Sequence, residues 1–144
     1  MVGAQGLALR ITNEARNLSL VRKAVVGFLE KSAFDERLRG HLVLAIDESV
    51  ANVIEHAYGR DRGLLEINLE LDEERLRVRV RDQGEPFVPT DAKILDLNEH
   101  LRLGLDGGLG LFLMRKVMDE VRYSSTSRYT NELDMIKFVP GREG

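Results

Sequence analysis

Three groups of residues have the types and spacing to bind a phosphorylated ligand. Glu48, Asn52 and His56 recur every fourth residue in a helix-compatible segment, so they line one helix face. Asp82 and Gly84 close an alternating, strand-like run, and Gly107, Gly108 and Gly110 precede a second helical pattern. Asn52 offers a neutral amide oxygen, a hard ligand suited to Mg2+, which takes few protein groups and keeps several waters. A buried Asp82 can accept a hydrogen bond from an exocyclic amine such as adenine carries. Glycines let backbone N–H groups approach and cradle phosphate oxygens, next to the positive end of a helix dipole. Glu48, one turn before Asn52, can orient or deprotonate an attacking hydroxyl beside metal and terminal phosphate.

Each group taken alone has a plainer explanation. Glu48 and Asn52 can be a solvated helix face. His56 can decorate a helix end near the negative dipole. Asp82 and Gly84 can make a strand-terminating turn, and two glycines before a helix commonly do the same. The glycine stretch is not a Walker-type loop, because no Gly-Lys-Ser/Thr follows it. A nucleotide site gives all three groups a common purpose.

The elements that must position them can be read in order. Residues 7–11 alternate weakly and predict a short strand. Asn17 or Ser19 is expected to cap a helix reaching about residue 33, with Leu18, Val21, Val25, Phe28 and Leu29 at helical spacing. Asp35 is expected to cap a longer helix over 36–58, stopped by Gly59. Leu42, Ile46, Val50, Val53 and Ala57 form its core stripe, with Glu48 and Asn52 expected roughly opposite. Residues 65–71 and 76–82 alternate strictly and predict a hairpin with one wet face. On that face Arg77, Arg79 and Arg81 should pair across strands with acids such as Glu66 and Glu70, a solvated face and not a nucleic-acid stripe. Residues 88–105 lack a clear period, with a possible short helix around 91–103, and suggest a functional loop. A helix to about Met118, strands over 120–124 and 133–139, and a loose tail complete the chain. Hairpins with helices to one side predict an α+β two-layer sandwich with a mixed, mostly antiparallel sheet.

The composition restricts the function classes. The chain of 144 residues fits one domain, 1–144, with 43% hydrophobic and 31% charged residues and a net charge of −3. No basic excess points to nucleic acid, and no basic amphipathic arm points to a membrane surface. Without cysteine, disulfides, zinc–thiolate sites and cysteine nucleophiles are excluded. Three scattered histidines do not suggest a histidine metal site. The first residues lack the pattern of a signal peptide, and no apolar run approaches the ~20 residues of a membrane helix. The expected setting is cytoplasmic.

The segment Glu48-Ser49-Val50-Ala51-Asn52-Val53-Ile54-Glu55-His56-Ala57-Tyr58 resembles the N box of the GHKL ATPase and histidine-kinase superfamily. Asp82-Gln83-Gly84-Glu85-Pro86-Phe87 resembles its first glycine box, and Gly107-Gly108-Leu109-Gly110-Leu111 its second. Glutamate four residues before the asparagine and His-Ala-Tyr after it are most similar to one branch, the RsbW-like and SpoIIAB-like anti-sigma-factor serine kinases. The resemblance spans residues 42–138.

That resemblance implies the Bergerat, histidine-kinase-like ATP-binding fold. It implies Glu48 as catalytic base for a serine hydroxyl and Asn52 as the Mg2+ ligand. The implied nucleotide-binding set is Asn52, His56, Asp82, Gly84, Phe87, Gly107, Gly108, Leu109, Gly110, Leu111 and Asn131, with Asp82 on the adenine amine. Residues 88–106 would form an ATP lid. The implied partners are a STAS-type anti-anti-sigma antagonist, phosphorylated on serine, and a sigma factor, with the kinase a homodimer. Other branches imply a noncatalytic ATP-binding module that docks a STAS protein, a sigma factor or a serine phosphatase. The chain departs from the family at its last strand, where Thr130-Asn131 stands for the usual Gly-Thr. No lysine or arginine sits beside the glycines, although Arg102 and Arg115 are near in sequence.

Overall fold

The alternation of the sequence becomes an alternation of burial in three dimensions. The computed structural model describes residues 4–56, 62–84, 114–124 and 131–139. Strand β1 (Gln5–Thr12) is followed by helices α1 (Asn17–Leu29) and α2 (Glu36–His56). Strands β2 (Leu64–Leu71), β3 (Arg75–Asp82), β4 (Glu120–Ser124) and β5 (Asn131–Phe138) follow. They form one sheet in the order β1-β2-β3-β5-β4. Every pairing among these strands is antiparallel.

Odd-numbered residues of β2 and even-numbered residues of β3 face the helices. Leu65, Ile67, Leu69, Leu76 and Val78 are completely buried there, with Leu42, Ile46 and Val50 of α2 and Val21 and Val25 of α1. Burying such side chains stabilises a fold by roughly 1.5–3 kcal/mol each. The opposite sheet face carries charge. Arg77 forms a two-bond pair with Asp134 at 3.0 and 2.7 Å, Arg81 meets Glu132 at 2.9 Å, and Arg79 meets Glu70 at 3.3 Å. Arg10 reaches Glu66 at 2.8 Å. The arginine stripe is therefore paired across strands as expected, with β5 supplying two of the acids.

Between β2 and β3, Asp72 Oδ1 accepts from the N–H groups of Glu74 and Arg75 at 2.7 and 2.9 Å. These two donors hold its carboxyl below the usual range and fix the hairpin turn. α2 begins as expected, with Asp35 Oδ1 accepting from Leu38 N–H at 2.8 Å.

Three expectations need correction. α1 stops at Leu29, not near residue 33. Ser32 N–H and Oγ both bond the Leu29 carbonyl, at 2.9 and 2.6 Å, which closes the helix and turns Phe34 into the core. Neither Asn17 nor Ser19 caps α1. Asn17 Nδ2 donates to Thr12 O and Oγ1, Ser19 Oγ donates to Arg16 O, and Arg16 occupies the cap with no side-chain bond. Asn52 does not lie opposite the core stripe. It is 6% exposed, because steps of three and four residues put it on the stripe's flank. No helix of the described residues is long and apolar enough to cross a membrane.

Candidate functional site

The last residue of β3 and the first of β5 are direct partners, Asp82 opposite Asn131. Both side chains fall on the helix-side face, and both are buried, at 2% and 3% exposure. A carboxylate there is costly unless donors surround it. Asn131 Nδ2 donates to Asp82 Oδ1 at 2.8 Å, and Gly84 N–H donates to the same oxygen at 2.8 Å. Oδ2 receives no donor among the described residues. Burial pushes the carboxyl above its usual range, and the two donors pull the other way. The result is a buried acceptor with one oxygen committed to the protein and one left for an incoming donor.

Tyr123 of β4 extends this arrangement. It stands opposite Leu133, two residues along from Asn131 on the same face. Its hydroxyl donates to Asn131 Oδ1. Sequence reading alone missed Tyr123. Its alternation with Val121 was visible, but nothing local revealed which residue of β5 its hydroxyl would meet.

α2 supplies the second part. Asn52 is buried, and its Nδ2 has no hydrogen-bond partner among the described residues. An amide left so costs about 1–3 kcal/mol unless something accepts from it. Glu48, one turn earlier, is half-buried. Between them Ser49 Oγ donates to Ala45 O at 2.7 Å and lies 3.1 Å from Met114 Sδ and 3.8 Å from Met135 Sδ. Ser49 thus ties α2 to β5 and to the helical turn 114–117.

A cation absent from the sequence expectation comes from α1. Arg22 Nη2 bonds Asp47 Oδ2 at 2.7 Å, and its charge is favoured first by that bond and also by Glu48 nearby. Asp47 Oδ1 is buried with no partner among the described residues. Arg22 and Glu48 sit on separate helices, 26 residues apart in sequence, so periodicity within either helix could not pair them.

Of the expected site residues, Asp82, Gly84 and Asn131 come together. Asn52 and Glu48 sit one turn apart on α2, which packs on β3. The His56 side chain, Phe87, Gly107, Gly108, Leu109, Gly110 and Leu111 lie outside the described residues, as do the expected lid and chain tail. Among the described residues no group of three or more His, Cys, Asp or Glu is arranged to hold a metal ion.

Comparison with known proteins matches residues 11–137 to the histidine kinase-like ATPase domain family. The serine-protein kinase RsbW of Staphylococcus aureus is 30% identical over 139 residues, covering 92% of this chain and 86% of its own length. Its namesake in Staphylococcus epidermidis is 29% identical with the same coverage. Among solved structures, the histidine kinase domain of a blue-light activated histidine kinase from Erythrobacter litoralis superposes with a TM-score of 0.55 at 19% identity. It covers 85% of this chain, which spans 59% of that longer one, and the likeness is one of fold.

Proposed function

The chain belongs to the histidine kinase-like ATPase domain family, and on that premise we propose that it is an ATP- and Mg2+-dependent serine-protein kinase. In this reading it acts as an anti-sigma factor and phosphorylates a STAS-type anti-anti-sigma antagonist, and it works as a cytoplasmic homodimer. The observation that carries the nucleotide part is Asp82: a buried carboxylate held on Oδ1 by Asn131 and Gly84, with Oδ2 left for a donor. Adenine's exocyclic amine is such a donor. The orphaned Nδ2 of Asn52 supports a ligand rich in acceptor oxygens beside α2, which a triphosphate is.

Asn52 would hold Mg2+ through its amide oxygen, with the phosphates and waters completing the shell. Bound there, the metal would neutralise charge on the transferring phosphoryl group. Glu48 would accept the proton of the attacking serine hydroxyl, and residues 88–106 would cover the nucleotide. The names of the relatives, both serine-protein kinases, support the kinase part.

The test uses purified protein, Mg·ATP and STAS-domain proteins from the same genome, with phosphoserine read by mass spectrometry. Glu48→Gln is expected to abolish transfer and to leave ATP affinity within about threefold. Binding of Mg·ATP with no transfer to any STAS protein would overturn the kinase reading. The chain would then be a noncatalytic ATP-binding regulator of a STAS protein, a sigma factor or a serine phosphatase. Sedimentation at micromolar concentration tests the homodimer.

A further inference from the structure

Tyr123, Asn131 and Asp82 form a directed chain across three strands, β4 to β5 to β3. We infer that Tyr123 is a specificity-positioning residue that fixes Asp82 as an acceptor for an amino-substituted purine. This rests on the reading that Asp82 meets the base.

The argument is one of hydrogen-bond polarity. An amide oxygen only accepts, so the tyrosine hydroxyl must donate to Asn131 Oδ1. The amide's other end must then present Nδ2, and Nδ2 faces Asp82 Oδ1 at 2.8 Å. Turned around, the amide would offer Asp82 an oxygen, and only a protonated carboxyl could meet it. With that proton on Oδ1, Oδ2 would belong to a neutral acid and accept more weakly than a carboxylate oxygen does. The ionised carboxylate, which only accepts, calls for Nδ2, and the Tyr123 hydroxyl, donating to Oδ1 of Asn131 from two strands away, holds the amide in that orientation. Its ring packs against the core while its hydroxyl reaches the polar pair, so its position is set by apolar contacts and its effect is electrostatic. Consecutive donors along such a chain also strengthen one another. With Oδ1 occupied by Asn131 and Gly84, Oδ2 is the atom that reads the base.

A site built to accept from an amine discriminates against a base that lacks one, because its buried acceptor is then left unpaired. Inosine triphosphate carries a carbonyl oxygen where ATP carries the amine, so the ratio of the two affinities reads the state of Asp82. Tyr123→Phe keeps the ring and deletes the hydroxyl. It is expected to lower ATP affinity about fivefold and to change inosine triphosphate affinity less than about twofold, the size of one hydrogen bond. Asn131→Leu should lower the ratio further, and adding Tyr123→Phe to it should change little, since both act through one chain. Calorimetric titration with each Mg·nucleotide on the full chain gives the ratios, and circular dichroism checks the fold. If Tyr123→Phe weakens both nucleotides equally, the hydroxyl has only a structural role and the inference is overturned. It is likewise overturned if the ratio stays at the wild-type value while Asp82→Asn collapses it. If Asp82→Asn itself keeps wild-type ATP affinity, the nucleotide reading fails first and takes this inference with it.

Discussion

Replacing Asn131 by leucine tests the energetics of the Asp82 pair without any ligand. Leucine has nearly the same shape, so the perturbation is the loss of one 2.8 Å donor to a carboxylate that is 2% exposed, together with the acceptor of the Tyr123 hydroxyl, whose loss adds a cost that does not vary with pH in this range. Hydrogen bonds to charged groups contribute about 1.5–3 kcal/mol, and Asn131→Leu should cost at least that much stability at neutral pH. The pH dependence carries the diagnosis. The folded carboxyl of Asp82 already lies above its ordinary 3.8, with burial as the main cause. A raised folded value means that the native state holds the proton more tightly than the unfolded chain. Stability therefore falls as pH rises from 3.8 through the folded value. Removing the Asn131 donor raises the folded value further, so the variant goes on losing stability over a wider interval. The gap between wild type and variant should open as pH rises through that interval and narrow toward pH 3.8, where Asp82 is protonated in more of both states. Urea unfolding followed by circular dichroism between about pH 4 and pH 7 measures the gap. A gap of constant size across that range would refute the argument, because Asn131 would then act through packing and not through the charge of Asp82.

Leu69 is completely buried at the middle of β2, so Leu69→Ala should cost about 2–5 kcal/mol and lower Tm by roughly 6–20 °C in calorimetry. Asp35→Ala deletes the acceptor for Leu38 N–H and should cost about 0.5–2 kcal/mol in denaturant unfolding, with α2 fraying first in hydrogen exchange. Ser49→Leu forces a larger side chain between α2, Met114 and Met135. It should cost about 1–3 kcal/mol, measured by urea unfolding, whereas Ser49→Ala should cost less.

Much of the sheet was legible because a strand with one buried face must alternate. Residues 65–71 and 76–82 did so strictly, and β2 and β3 match them to within one residue at their N-terminal ends. The Asp35 cap was legible because its partner N–H lies three residues away. The end of α1 was not, since apolar spacing continued past Leu29 while Ser32 competed for the last carbonyl. The depth of Asn52 was misjudged for a different reason. A helix drawn as one stripe and its opposite has no flank, and the flank is where a polar residue can be buried against a sheet.

By itself the sequence singled out candidates for the chemistry: an asparagine and a glutamate one turn apart, and an aspartate at a strand end. Those follow from local period and turn chemistry, which act over a few residues. The tertiary structure alone decided which of them share an oxygen. The Asp82–Asn131 bond joins positions 49 residues apart, Arg22–Asp47 joins positions 25 apart, and Tyr123 reaches Asn131 diagonally from the neighbouring strand. Each depends on the register of strands or the packing of helices. Both are set by burying two apolar faces against each other, a sum over the whole core that no short stretch of residues contains.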